Sequence, residues 1–134
     1  MAVEDEYSAG QSMDTMIAQR FMGWTYHQGN WYAGEPTEEN YRGYIRRFRP
    51  STHMDDALKV MQQGEPNGGK RWYFTCEAVV AAGWLVRVFD EYVYATTHGK
   101  KSNVIEVHGY SLPLTICAAA LKAIDGADDA LSSL

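Results

Sequence analysis

Residues 112–124 read LPLTICAAALKAI, and no other stretch constrains the fold as strongly. Ser111 in front of it suits an N-cap, and Pro113 falls in the first turn, where a missing N–H leaves no hydrogen bond unmade. The stretch predicts a helix, but its apolar residues surround the axis nearly completely instead of keeping to one stripe. Such a helix has to be covered on two sides. The rest of the chain must therefore supply a sheet beneath it and further helices beside it. Gly126 is expected to close the helix, and ADDALSSL (127–134) to be a frayed tail.

With 134 residues the chain can build one such core. A domain of this size buries roughly two-thirds of the surface that its unfolded chain exposes. Apolar residues at 46 % and charged residues at 22 % fit a globular protein rather than a disordered one. Met13, Ile17, Phe21 and Trp24 recur at helical spacing, which predicts a helix over 13–22 that stops at Gly23. WTYHQGNWYA (24–33) places aromatic residues around a Gly-Asn turn, a hairpin signal, and GEPTEENYRG (34–43) is a loop. Met54, Ala57, Leu58 and Met61 form the stripe of a second helix that begins near Thr52, with Thr52 and Asp55 at capping-box spacing. After a turn-rich GEPNGGK (64–70), strands follow by residue type at RWYFTCEA (71–78), WLVRVFD (84–90), YVYATT (92–97) and, past the turn HGKKS (98–102), NVIEVHG (103–109). Short connections imply antiparallel pairing. The fold class is α+β: an antiparallel sheet of about four to five strands with helices packed on it, spanning 12–126.

The start, MAVEDEYSAGQ (1–11), is acidic and expected to be loose, and it lacks the pattern of a secretory leader. The longest apolar runs, AVVAAGWLV (78–86) and ICAAAL (116–121), fall short of the ~20 residues that span a bilayer. A cytoplasmic protein with no membrane partner is expected. Cys76 and Cys117 sit in apolar stretches and read as small buried hydrophobes.

The net charge is −5, which argues against general nucleic-acid binding. Against that acidic background, Arg42, Arg46, Arg47 and Arg49 fall within eight residues that contain no acid. Arg46, Arg47 and Arg49 run into Pro50, Ser51, Thr52 and His53, the start of the second helix. Helix N-termini attract anions, and guanidinium forks match phosphate. The segment therefore reads either as an anion pocket or as a helix cap beside a solvated basic strand, with Glu35, Glu38 and Glu39 as pairing acids. On an extended strand, Arg47 and Arg49 would share one side and Arg46 the other. Trp24, Tyr26, Trp31, Tyr32, Tyr41 and Tyr44 crowd the neighbouring stretch. Trp24, Trp72 and Trp84 lie in regular apolar patterns and read as core, whereas Trp31 and Tyr44 near loop ends could stack on a base.

Catalytic and metal signatures are missing. The two cysteines have no local signature, no G-x-S-x-G occurs, and His27, His53, His98 and His108 are scattered without H-E-x-x-H or C-x-x-C spacing. Asp55 and Asp56, adjacent on a helix, do not face each other and make a poor acid–base pair.

Four segments in order, IAQRFMGW (17–24), RPSTHMDDALKVM (49–61), a strand with Trp84, and LPLTICAAALKAI (112–124), resemble the phage ABA-sandwich domain family. The resemblance covers about residues 12–126. It implies a three-layer α/β/α sandwich and a viral origin acting in a host cytoplasm, with no established activity. His53 stands where relatives commonly carry an acid, and the loops GEPTEENYRGY and HGKKSNVIEVHG are longer here. Two functions follow as expectations. One is a non-enzymatic protein without cofactor or metal that binds a small anionic, nucleotide-derived molecule of the cyclic-nucleotide or ADP-ribose type. Its ligand residues would be Trp31, Tyr44, Arg46, Arg47, Arg49, Ser51, Thr52 and His53. The other is a structural or protein-interaction component with no small ligand. A homo-oligomer is expected in either case, because Tyr- and Trp-rich surfaces tend to be interfaces.

Overall fold

The computed structural model of the chain describes residues 2–62, 72–90 and 105–132. A 3-10 turn (Val3–Asp5) precedes helix α1 (Gln11–Met16), which runs on as a π-helical turn over Ile17–Phe21. Gly23, at φ 72°, lets the Trp24 N–H reach back to the Ala18 carbonyl (2.9 Å) and ends the helix where its sequence places the stop. Strands β1 (Thr25–His27), β2 (Asn30–Tyr32) and β3 (Tyr41–Tyr44) form an antiparallel three-stranded sheet in that order. The hairpin turn is Gln28-Gly29, with φ 49° and 82°, one position before the Gly-Asn pair that the sequence suggested.

Ile45–Arg47 form a 3-10 turn, and helix α2 covers Met54–Met61. A second antiparallel sheet contains β4 (Trp72–Val79), β5 (Gly83–Asp90) and β6 (Ile105–Gly109), in that order. Helix α3 (Leu112–Ser132) completes the described chain. The α+β class holds, but the strands divide into two sheets of three instead of one sheet of four to five. The strand expected at 92–97 and the turns at 64–70 and 98–102 lie outside the described residues. Helix α3 runs through Gly126, whose cost in a helix is only about 1 kcal/mol, so the stop expected there does not occur.

Helix α3 is the centre of the molecule, as its composition requires. Every residue from Leu114 to Leu121 is buried, which no one-sided helix achieves. It lies across β5 and β6 and against α2 and the π-helical turn. Val86, Val88 and Val107 meet it from the sheet, Ala57 and Val60 from α2, and Ile17 and Phe21 from the first helix, in one core. Each Ile, Leu or Phe fully buried there contributes about 1.5–3 kcal/mol. The register sets Phe74 beside Val88 and Val86 beside Val107, so the even-numbered residues of β4 and β5 share the face that α3 covers. On the other face Thr75, Glu77, Leu85, Arg87, Glu106 and His108 are all at least partly exposed. Arg87 there pairs with Glu77 (3.3 Å) and Glu106 (3.4 Å). The outer face of this sheet is thus at least partly exposed among the described residues.

Residues 2–7 are not loose. Val3 is 3 % exposed in the core, and the Glu4 carboxylate accepts the backbone N–H groups of Tyr110 (3.0 Å) and Ser111 (2.9 Å) at the start of α3. Glu6 pairs with Lys122 (2.9 Å). An acid suits a helix N-terminus, so the acidic composition that suggested a solvated tail instead docks it. Burial pushes the Glu4 carboxyl up, but the N–H groups of Tyr110, Ser111 and Glu4 itself, with the charge of His108, hold it below the usual range.

Candidate functional site

The arginine segment folds tightly, and that decides where its side chains go. Residues 45–47 form a 3-10 turn, so the two-residue alternation of an extended strand does not hold there. Arg46 and Arg49 line one cleft with Thr52, Gly10 and Gln11. Arg47 turns the other way, into a second cleft with Arg42, Tyr44, Lys59 and Trp24. The pairing expected for an extended strand, Arg47 with Arg49, is therefore replaced by Arg46 with Arg49. Phe48 is the ridge between the clefts and borders both. It is 6 % exposed and packs on Trp24 with ring centroids 4.7 Å apart.

The loop between the turn and α2 is held by side chains that looked like ligand donors or helix caps. Ser51 is 1 % exposed; its N–H donates to Asp14 Oδ1 (2.8 Å), and its hydroxyl accepts the Gly10 N–H (3.0 Å). Asp56 reaches back from α2 to accept the Arg49 N–H (2.8 Å). The N-cap of α2 is His53, with no side-chain cap bond, so the Thr52–Asp55 capping box is not formed. Thr52 Oγ1 lies 2.7 Å from His53 Nδ1, on the exposed surface. Asp14 is buried, and its carboxyl is pushed up by that burial and by the nearby Asp56 charge, against the Ser51 hydrogen bonds and the His53 charge.

Of the eight residues expected to hold a ligand, Tyr44 and Arg47 meet in one cleft, and Arg46, Arg49 and Thr52 in the other. Trp31 and Ser51 are core and brace: Trp31 is 1 % exposed under the edge of Tyr26, with no face free for a base. His53 contacts Thr52 and lines neither cleft. Among the described residues, none of Arg46, Arg47 and Arg49 forms an ion pair, and Glu35, Glu38 and Glu39 neutralise none of them. Arg42 is oriented by bonds from Nη1 to the Glu39 and Tyr41 carbonyls (both 3.2 Å).

The Arg42–Arg47 cleft has a volume of about 460 Å³, the Arg46–Arg49 cleft about 300 Å³. In the larger one three cations face a single carboxylate, Asp56, whose oxygens are already engaged by Arg49 N–H and by Lys59 Nζ (3.3 Å). In the smaller one two cations face Asp14. Tyr44 stands at the larger cleft with 43 % of its surface exposed, beside half-buried Trp24. Lys59 and Trp24 were not expected at a site. Lys59 reads as an ordinary solvated helix residue and Trp24 as core, and only the folding of α2 against the 3-10 turn brings them to Arg47.

Cys117 is buried and its thiol pushed well up by that burial, with Asp14 adding to the shift. Cys76, expected to be buried, is exposed on β4, with its thiol 3.7 Å from Met61 Sδ of α2; neither cysteine forms a disulfide. Among the described residues no helix is long and apolar enough to cross a membrane.

No protein-family model matches the chain, and no curated protein matches it. Among solved structures, the fold is similar to that of a phage protein from Bacillus cereus ATCC 14579, with a TM-score of 0.54 and 17 % identity, over 87 % of this chain and 93 % of that one. At that identity the likeness concerns the fold.

Proposed function

From a fold shared with a phage protein, we propose that the chain is a non-enzymatic phage protein that holds a small anionic, nucleotide-derived molecule. The reading includes membership of the phage ABA-sandwich family, on its four sequence segments, and a role in the host cytoplasm as an anti-defence sponge that sequesters an immune signalling nucleotide of the cyclic or ADP-ribose type. The observation that carries it is the Arg42–Arg47–Lys59 cleft, where cations without acidic neighbours to spare stand beside an exposed tyrosine. Arg42 and Arg47 would fork onto phosphate, Lys59 would add a point charge, and Tyr44 would stack on a base. Arg46, Arg49 and Thr52 would serve a second charged group at the neighbouring cleft.

Denaturing the protein purified from an infected, defence-active host should release a nucleotide-derived molecule detectable by mass spectrometry. Charged hydrogen bonds are worth about 1.5–3 kcal/mol each, so Arg42→Ala with Arg47→Ala should weaken binding of that molecule by about 100-fold or more, with little change in Tm. Arg46→Ala with Arg49→Ala reports on the second cleft. No released molecule, or binding unaltered in both double variants, sinks the proposal. A second reading, an interaction component without a small ligand, draws on the exposed Tyr26, Tyr41 and Tyr44 of the small sheet.

A further inference from the structure

The small sheet carries an inference that does not depend on a ligand of the arginine clefts. Its register sorts the side chains of β1, β2 and β3 onto two sides. Trp31, paired with Tyr26 and Gly43, takes the inner side and is 1 % exposed. Thr25, His27, Asn30, Tyr32, Tyr41 and Tyr44 take the other. His27, Tyr41 and Tyr44 are exposed there, and Tyr32 is half-buried. Three of these rings form a row. His27 meets Tyr32 edge to face at 6.2 Å between centroids, and Tyr32 meets Tyr41 likewise at 5.7 Å. Interplanar angles of 69° and 64° make each pair the two walls of a notch, not a flat plate.

Charge and hydrogen bonding say what fits there. Although 22 % of the chain is charged, these six residues include no Lys, Arg, Asp or Glu, so the face suits a neutral occupant. Its amide and its threonine are already engaged. Asn30 Oδ1 accepts the Tyr41 hydroxyl (3.5 Å), Asn30 Nδ2 donates to the Gln28 carbonyl (3.2 Å), and the Thr25 hydroxyl donates to the Gly34 carbonyl (2.6 Å). What the row still offers is donors, the Tyr32 hydroxyl and the His27 ring, and no carboxylate to receive an N–H. A complementary chain brings apolar rings and carbonyls without N–H groups. A proline-rich segment does so, and its extended helix is preformed for aromatic grooves. We propose that this face docks a proline-rich segment of another protein in the polyproline II conformation, with pyrrolidine rings seated between His27 and Tyr32 and between Tyr32 and Tyr41. The row matches about four residues of such a segment at ~3.1 Å each.

Fluorescence anisotropy of a labelled decaproline peptide with the full chain tests this. Decaproline should bind saturably, and a Gly-Ser peptide of equal length should not. In amide NMR spectra, the shifts caused by decaproline should gather at His27, Tyr32 and Tyr41. Tyr41→Ala, at an exposed position, should weaken binding about tenfold or more with Tm little changed, as loss of an aromatic anchor does at an interface. Tyr41→Phe keeps the ring and should keep most of the binding, and His27→Ala checks the other notch. No saturable binding of decaproline overturns the proposal, and so does binding that both Tyr41→Ala and His27→Ala leave intact. Chitohexaose bound at this face in place of decaproline, or a chain that dimerises through it, identifies a different occupant and also overturns it. Arg47→Ala should leave decaproline binding unchanged; binding lost there instead would put the peptide in the arginine cleft and overturn the proposal, whatever the fate of the nucleotide reading.

Discussion

Asp14 shows how little room the arginine loop has to move. It is buried at 6 % exposure, and it anchors the Ser51 N–H from beneath. Because its carboxyl is pushed up by burial, the folded chain holds that proton more tightly than the unfolded one. Its contribution to stability therefore declines as pH rises from the ordinary carboxylate range through the raised folded pKa. Asp14→Asn keeps an oxygen acceptor for Ser51 and removes the charge. Thermal melts across that window should show the variant losing less Tm with rising pH than wild type, and a steeper loss in the variant would contradict this. The same scale separates what could be read from the sequence. The arginine cluster was legible because no acid interrupts it. The roles of Trp31 and Ser51 were not: whether a tryptophan or serine near a loop faces inward depends on what packs over it, and for Ser51 the partners are Gly10 and Asp14, 41 and 37 positions away.

Among elements, the junction of β6 and α3 tolerates least. A Cβ on Gly109 would collide with Thr115 Oγ1 and stand 2.5 Å from Val3 Cγ2, in a place where three elements meet. Overpacking of this kind costs about 1–3 kcal/mol, so Gly109→Ala should lower the unfolding free energy by that amount, read as a lower denaturant midpoint with an unchanged slope. The helices were legible because spacing alone marks them, down to the stop at Gly23. The 3-10 turn at 45–47 was not. YIRRFR has strand-forming residues and no proline until Pro50, and the Asp56 carboxylate that accepts the Arg49 N–H just past the turn comes from a helix later in sequence. With the turn formed, Arg46 and Arg47 line different clefts.

For the molecule as a whole, charge is unevenly spread. The chain carries a net −5, yet its larger cleft gathers Arg42, Arg47 and Lys59. The net charge repels an anionic ligand while the two arginine clefts attract it, and salt screens the attraction over a Debye length of about 10 Å at 0.1 M. Binding of the released molecule should weaken several-fold as salt is raised, whereas Tm should move little; affinity independent of salt would exclude the arginines as its main contacts. The single core around α3 was legible from one apolar stretch. The division of the strands between two sheets was not, because local pattern marks strands and not their partners. The Glu4 clasp adds a matter of timing. Its hydrogen bonds join residues 106 and 107 positions apart. On a ribosome adding about 5–20 residues per second, Glu4 emerges seconds before Tyr110 and Ser111 and must wait for them before it has anywhere to bind. Glu4 is thus made early and settles late, and until then the nascent α3 start stands without its carboxylate.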